Sequence, residues 1–138
     1  MRFRSQGASL GLPAASPAEL IHKLERGLSY DSLQRLSAQS DIPVSRLAEV
    51  LAIPERTLAR RKTSGRLTLD ESERLLRIAN VFEKAVELFE GDVQSAVNWM
   101  TSSKKALEGH TPLDYSRTET GAREVESLVG QLEHGVFV

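Results

Sequence analysis

The sequence predicts an all-α protein: an N-terminal helix-turn-helix bundle followed by a second helical domain. Three observations predict it. Apolar residues recur at three- and four-residue spacing in segment after segment, two Ser/Thr-x-x-Glu capping boxes mark helix starts, and no alternating strand pattern or internal repeat of fixed period is present.

The elements follow in order. Residues 1–15, rich in Ser, Gly and Ala with Pro13, show no period and are expected to form a flexible N-terminal arm. Ser16, Pro17 and Glu19 then make a helix start, with a side-chain oxygen for the orphan amides, proline at the first helical position and a glutamate reaching back. Leu20, Ile21, Leu24 and Leu28 give this helix one apolar face, and Gly27 lies near its end. Tyr30, Leu33 and Leu36 place a second short helix up to about Gln39, and Pro43 marks a new start.

Between Val44 and Thr63 lie two short helical segments, SRLAEVL and PERTLARRK, joined by Ala52 and Ile53. That is helix-turn-helix spacing. Ala48 is small enough for a close helix crossing, and Leu47, Leu51, Ile53 and Leu58 are the apolar anchors. Pro54 at the start of the second helix removes only an amide without an intrahelical partner.

Thr63, Ser64, Gly65 and Arg66 read as a hinge, after which Thr68 and Glu71 form the second capping box. The division of the chain is therefore an arm over residues 1–15, a helix-turn-helix domain over 16–66 and a second helical domain over 67–138. A long helix runs to about Glu90, and its apolar residues fall on two adjacent stripes: Leu75, Ala79, Phe82, Val86 and Phe89, beside Ile78, Val81, Ala85 and Leu88. So wide an apolar arc needs cover from two sides. One is assigned to the chain's own domain and the other to a second copy, with Ile78, Val81, Phe82, Ala85, Leu88 and Phe89 as the dimerisation set. Asp92 caps a helix carrying Ala96, Val97, Trp99 and Met100, and a last helix spans about Thr118 to His134. Gly135 stops it, leaving Val136, Phe137 and Val138 as an apolar tail that either folds back or docks into a partner.

The net charge of −1 conceals a division along the chain. Residues 1–43 carry five Lys/Arg and four Asp/Glu, residues 44–66 six and two, and residues 67–138 seven and thirteen, which suits a polyanion for the middle segment alone. Within that segment Arg56 and Arg60 lie one helical turn apart, where a recognition helix reaches guanine edges or phosphates. Glu55, Thr57, Arg61 and Lys62 on the same helix, with Ser45 and Arg46 on the preceding one, complete the candidate DNA-contacting set, and Arg66 adds a phosphate contact. The alternative is a solvated basic face. Arg61 stands where many such pairs place an apolar anchor, so its stem is expected to pack while its head reaches the surface.

Other chemistry is excluded or unsupported. The absence of cysteine rules out disulfides, thiolate metal sites and a cysteine nucleophile, and suits a reducing cytoplasm. The three histidines, at 22, 110 and 134, are isolated, so no metal site is expected. No Gly-rich phosphate loop, nucleophile elbow or zinc-helix motif occurs. No cofactor, no catalytic residue and no membrane span are expected.

The residues LTLDESERLLRIANVFEKAVELFEG, AVNWM, ALEGHTPLDY and TETGAREVESLVGQLEHGVFV, with Glu71, Ser72, Arg74, Leu75, Trp99, Leu107, Gly109, Pro112, Gly121, Val125, Leu132, His134 and Gly135 in order, resemble the Xre/MbcA/ParS type antitoxins that partner RES-domain toxins. The likeness spans roughly residues 16–138 and is most specific in the acidic half. It implies a bacterial cytoplasmic type II antitoxin, not an enzyme, that dimerises through that half and neutralises a RES-domain toxin of ADP-ribosyltransferase fold, so that NAD chemistry belongs to the partner. It further implies that His134, Gly135, Val136, Phe137 and Val138 enter the toxin's cleft. Because a dimer places two recognition helices on one face, as a palindromic operator requires, the helix-turn-helix is expected to bind the operator of its own operon. A stand-alone dimeric helix-turn-helix regulator is the alternative.

Overall fold

A computed structural model describes residues 3–135. Among them are eight α-helices: α1 (Pro17–Arg26), α2 (Tyr30–Ser40), α3 (Val44–Val50), α4 (Glu55–Ser64), α5 (Leu69–Leu88), α6 (Val93–Met100), α7 (Pro112–Tyr115) and α8 (Glu119–Glu133), with 3-10 turns at Ala8–Leu10 and Lys105–Leu107. The all-α expectation is met; the described residues hold no strand, only an isolated bridge between Ser29 and Arg66.

Both expected capping boxes form. The Ser16 hydroxyl accepts the Glu19 amide while Glu19 accepts the Ser16 amide, and Thr68 and Glu71 repeat the exchange at the start of α5. Asp92 caps α6 by accepting the Ser95 amide at 3.1 Å.

The long helix α5 is the axis of the molecule. It packs against α1, α6, α8 and the first 3-10 turn, and Leu75, Ile78, Ala79, Val81, Phe82, Ala85 and Val86 are each at most 2% exposed. Of the dimerisation set, Ile78, Val81, Phe82 and Ala85 are buried by the chain itself, while Leu88 and Phe89 keep part of their surface.

Part of that cover comes from the segment expected to be a flexible arm. Leu10 is 1% exposed and Ser9 is fully enclosed. The Ser9 amide and hydroxyl both donate to the Glu83 carboxylate, the Gly7 amide donates to it at 3.2 Å, and the Phe3 ring rests on Phe82 with centroids 5.7 Å apart. Residues 3–12 are thus packed against α2 and α5, because a composition poor in periodic apolar residues still supplies a leucine, a phenylalanine and backbone donors to a buried acid.

The segment read as a hinge is also pinned. The Tyr30 amide donates to the Gly65 carbonyl and the Leu67 amide to the Leu28 carbonyl, both at 2.9 Å, and the Arg66 guanidinium reaches the Gly27 carbonyl at 2.8 Å. The exit from α4 therefore lies locked beside the α1–α2 link.

Candidate functional site

The helix-turn-helix pair is α3 and α4. Leu47, Ala48, Val50, Leu51 and Ile53 are buried, which seats the pair on the body, and the Ile53 amide closes the turn on the Ala48 carbonyl at 2.9 Å. Ala52 takes a left-handed conformation at φ 57° to make that turn. The second helix, α4, has no buried residue.

Of the eight candidate DNA-contacting residues, Ser45, Glu55, Arg56, Arg60 and Lys62 are exposed, and Thr57 is half-buried with its hydroxyl accepting from Arg60 at 3.3 Å. Among the described residues Arg56, Arg60 and Lys62 have no ion-pair partner, which leaves their charge to meet an anion. The other two are engaged inside the molecule. Arg61 donates two bonds to Glu71, at 2.8 and 3.2 Å, and Arg46 pairs with Glu49 at 3.4 Å and with Asp114 at 2.8 Å. Arg61 is half-buried, and its head turns to a carboxylate on α5 instead of the surface. Burial raises the Glu71 carboxyl, and the bonds from Arg61 and Thr68 outweigh it, holding the group below the usual glutamate range.

At the other end, α8 runs beside α5 in the same direction: Arg77 meets Glu119 at 3.2 Å and Lys84 meets Glu126 at 3.3 Å. This delivers His134 and Gly135 to the surface, with Gly135 at φ 75°. Val136, Phe137 and Val138 lie outside the described residues. Trp99 is half-buried with the Lys104 ammonium 5.4 Å from its ring centroid, and burial lowers the Lys104 pKa.

Sequence reasoning missed three ties that hold these elements in place. Asp114 carries α7 to Arg46, Arg74 donates to the Leu51 carbonyl at 2.9 Å, and Glu83 receives the N-terminal segment. Only Glu83 left a sequence signal, an acid one helical turn after Ala79 within the apolar stripes of α5. Among the described residues no group of His, Asp and Glu could hold a metal ion, and no helix is long and apolar enough to cross a membrane.

Fold and surfaces thus define a protein with a helix-turn-helix unit built onto a second helical unit through one shared helix. Residues 19–80 match the antitoxin Xre-like helix-turn-helix domain, and residues 84–135 match the antitoxin Xre/MbcA/ParS C-terminal toxin-binding domain. Relatives named Antitoxin Xre include one from Yersinia enterocolitica, 40% identical over 99% of this chain and 93% of its own length. Another, from Photorhabdus laumondii, is 33% identical over 93% of this chain and 87% of its own, and one from Pseudomonas putida is 32% identical over 93% and 80%. The chain belongs to the Xre antitoxin family, with the helix-turn-helix and toxin-binding domains in that order.

Proposed function

We propose that this antitoxin binds and neutralises an NAD-degrading RES-domain toxin by placing residues 134–138 in its active-site cleft, and that it represses its own operon by binding operator DNA as a homodimer. The observation that carries the first part is the toxin-binding match over residues 84–135, which runs to the exposed end of α8. A helix end, a glycine that can redirect the chain and a short apolar sequence suit insertion into a cleft.

Operator binding is supported by the exposed Arg56, Arg60 and Lys62 on α4, which make no ion pair among the described residues. A palindromic operator needs two such helices related by a two-fold axis, hence the homodimer. Of the six residues first assigned to its interface, Leu88 and Phe89 alone keep surface for a second copy.

Truncation after Glu133 tests the neutralising role. The shortened protein should keep its helical content and lose inhibition of NAD hydrolysis by the purified toxin; full inhibition by it refutes the cleft-insertion reading. For the operator, gel shifts at physiological salt should show preference for the upstream DNA over random DNA, and equal binding refutes repression.

A further inference from the structure

The helix α4 presents the candidate DNA-contacting cations, yet little apolar packing holds it. It has no buried residue, and its half-buried side chains are Thr57, Leu58 and Arg61. A ten-residue helix with one half-buried leucine has few contacts to fix its direction, since helices in proteins are held mainly by an apolar face.

Beyond the bonds that pin its exit beside the α1–α2 link, a charge pair holds it. Arg61 Nε and Nη2 donate to the two oxygens of Glu71, and the Arg61 and Glu71 side chains are only 24% and 9% exposed. A two-bond guanidinium–carboxylate contact fixes orientation as well as distance. Glu71 is itself immobilised, because its Oε1 accepts the Thr68 amide at 2.9 Å in the capping box of α5. One turn further along α5, Arg74 grips the Leu51 carbonyl at the end of α3. The first two turns of α5 therefore hold both members of the helix-turn-helix pair.

We infer that Glu71 is a positioning residue for DNA recognition: it sets the angle at which α4 presents Arg56 and Arg60, and Arg61 is the strut that transmits it. This rests on the reading of α4 as the DNA-contacting helix. It also gives Arg61 a role other than the direct DNA contact expected from sequence, because its donors are already engaged by Glu71.

The test uses the full chain with Glu71→Gln, Arg61→Met and the double variant. Glutamine keeps an oxygen for the Thr68 amide, so the helix cap survives while the ion pair is lost. Affinities for the upstream operon DNA and for a random duplex of equal length are measured over a range of salt. Each single variant should lose about tenfold or more in operator affinity, the scale of one or two misplaced base contacts. Affinity for random DNA and the salt slope should stay as in the wild type, and the double variant should be no worse than the poorer single one. A slope flattened by about one for Arg61→Met on both duplexes would show that Arg61 touches a phosphate and overturn the inference. So would unchanged or tighter operator binding by Glu71→Gln.

If the wild-type protein itself shows no operator preference, the DNA reading fails and amide exchange decides the positioning role. Glu71→Gln should then speed exchange across residues 55–64 and leave residues 93–100 protected. Unchanged protection of 55–64, or equal loss in both segments, overturns it.

Discussion

Arg46 on α3 and Asp114 on α7, 68 residues apart in sequence, form an ion pair at 2.8 Å. It joins a residue of the helix-turn-helix match to a residue of the toxin-binding match. The boundary between the two matches falls inside α5, so the two units share a helix as well as this pair. Burial raises the Asp114 carboxyl, but bonds from Arg46 and Thr111 outweigh it and leave the group below the ordinary aspartate range. A carboxylate with a depressed pKa adds stability above its unfolded-state pKa, and that stability is lost as pH falls through the folded-state value. Both side chains keep slightly more than a third of their surface, at 37% and 36%, so screening limits the effect to about 0.5 kcal/mol. Asp114→Asn should therefore lower the urea midpoint slightly at neutral pH and match the wild type in strong acid; a constant difference at both pH values would contradict the pairing.

The Ser9–Glu83 contact should be worth more, because Glu83 is 9% exposed and Ser9 is enclosed. Ser9→Ala removes a hydroxyl donor from a buried carboxylate and should cost about 2 kcal/mol in urea unfolding. A loss under about 0.5 kcal/mol would show that the N-terminal segment is not held there.

Glu83 also has a pH signature of the opposite sign to Asp114. Burial pushes its carboxyl up despite the bonds from Ser9 and Gly7. The folded state then holds a proton at pH values where the unfolded chain has released it, so this group's contribution to stability rises as pH falls through the raised value. Between neutral and mildly acidic pH the wild type should gain stability relative to Glu83→Gln. A wild type that loses stability relative to Glu83→Gln on acidification would refute the assignment.

Two small-residue exchanges probe the backbone. A Cβ at Gly27 would lie 2.2 Å from the Leu67 carbonyl oxygen with φ at 88°, so Gly27→Ala should cost about 3 kcal/mol or more. Ala52→Gly, at the exposed turn residue with φ 57°, should instead stabilise by about 0.5 kcal/mol, the left-handed strain relieved less the extra chain entropy. Thermal unfolding of the two variants in opposite directions is the expected result; destabilisation by Ala52→Gly would contradict the turn geometry.

Replacing both Arg56 and Arg60 by alanine should leave the unfolding midpoint nearly unchanged, since both are exposed and neither is ion-paired among the described residues. Operator affinity should fall at least about tenfold, with a shallower salt dependence. Retained affinity would move the DNA surface away from α4.

Much of the fold was legible in the sequence because its signals are local. Ser16 with Glu19, Thr68 with Glu71, and Asp92 each announce a helix start through bonds spanning three residues. The helix-turn-helix anchors were legible for the same reason, as Leu47, Leu51 and Ile53 sit at fixed spacing. What was not legible depends on contacts distant in sequence. The N-terminal segment has no period of its own and is ordered by Glu83, 74 residues from Ser9. The partner of Arg61 lies ten residues on, across a chain reversal that spacing does not reveal. The apolar arc of α5 correctly showed two covered sides, but hydrophobicity alone does not distinguish cover by the same chain from cover by a second copy.

The measurement that bears most directly on the account is co-expression with a RES-domain protein encoded beside this chain, followed by size-exclusion chromatography and an assay of NAD loss with and without the antitoxin. A stable complex in which NAD loss is suppressed, and in which suppression fails once residues 134–138 are removed, is the predicted result. Separate elution of the two proteins with NAD loss undiminished would contradict the neutralising role and leave a helix-turn-helix regulator whose second domain serves another partner.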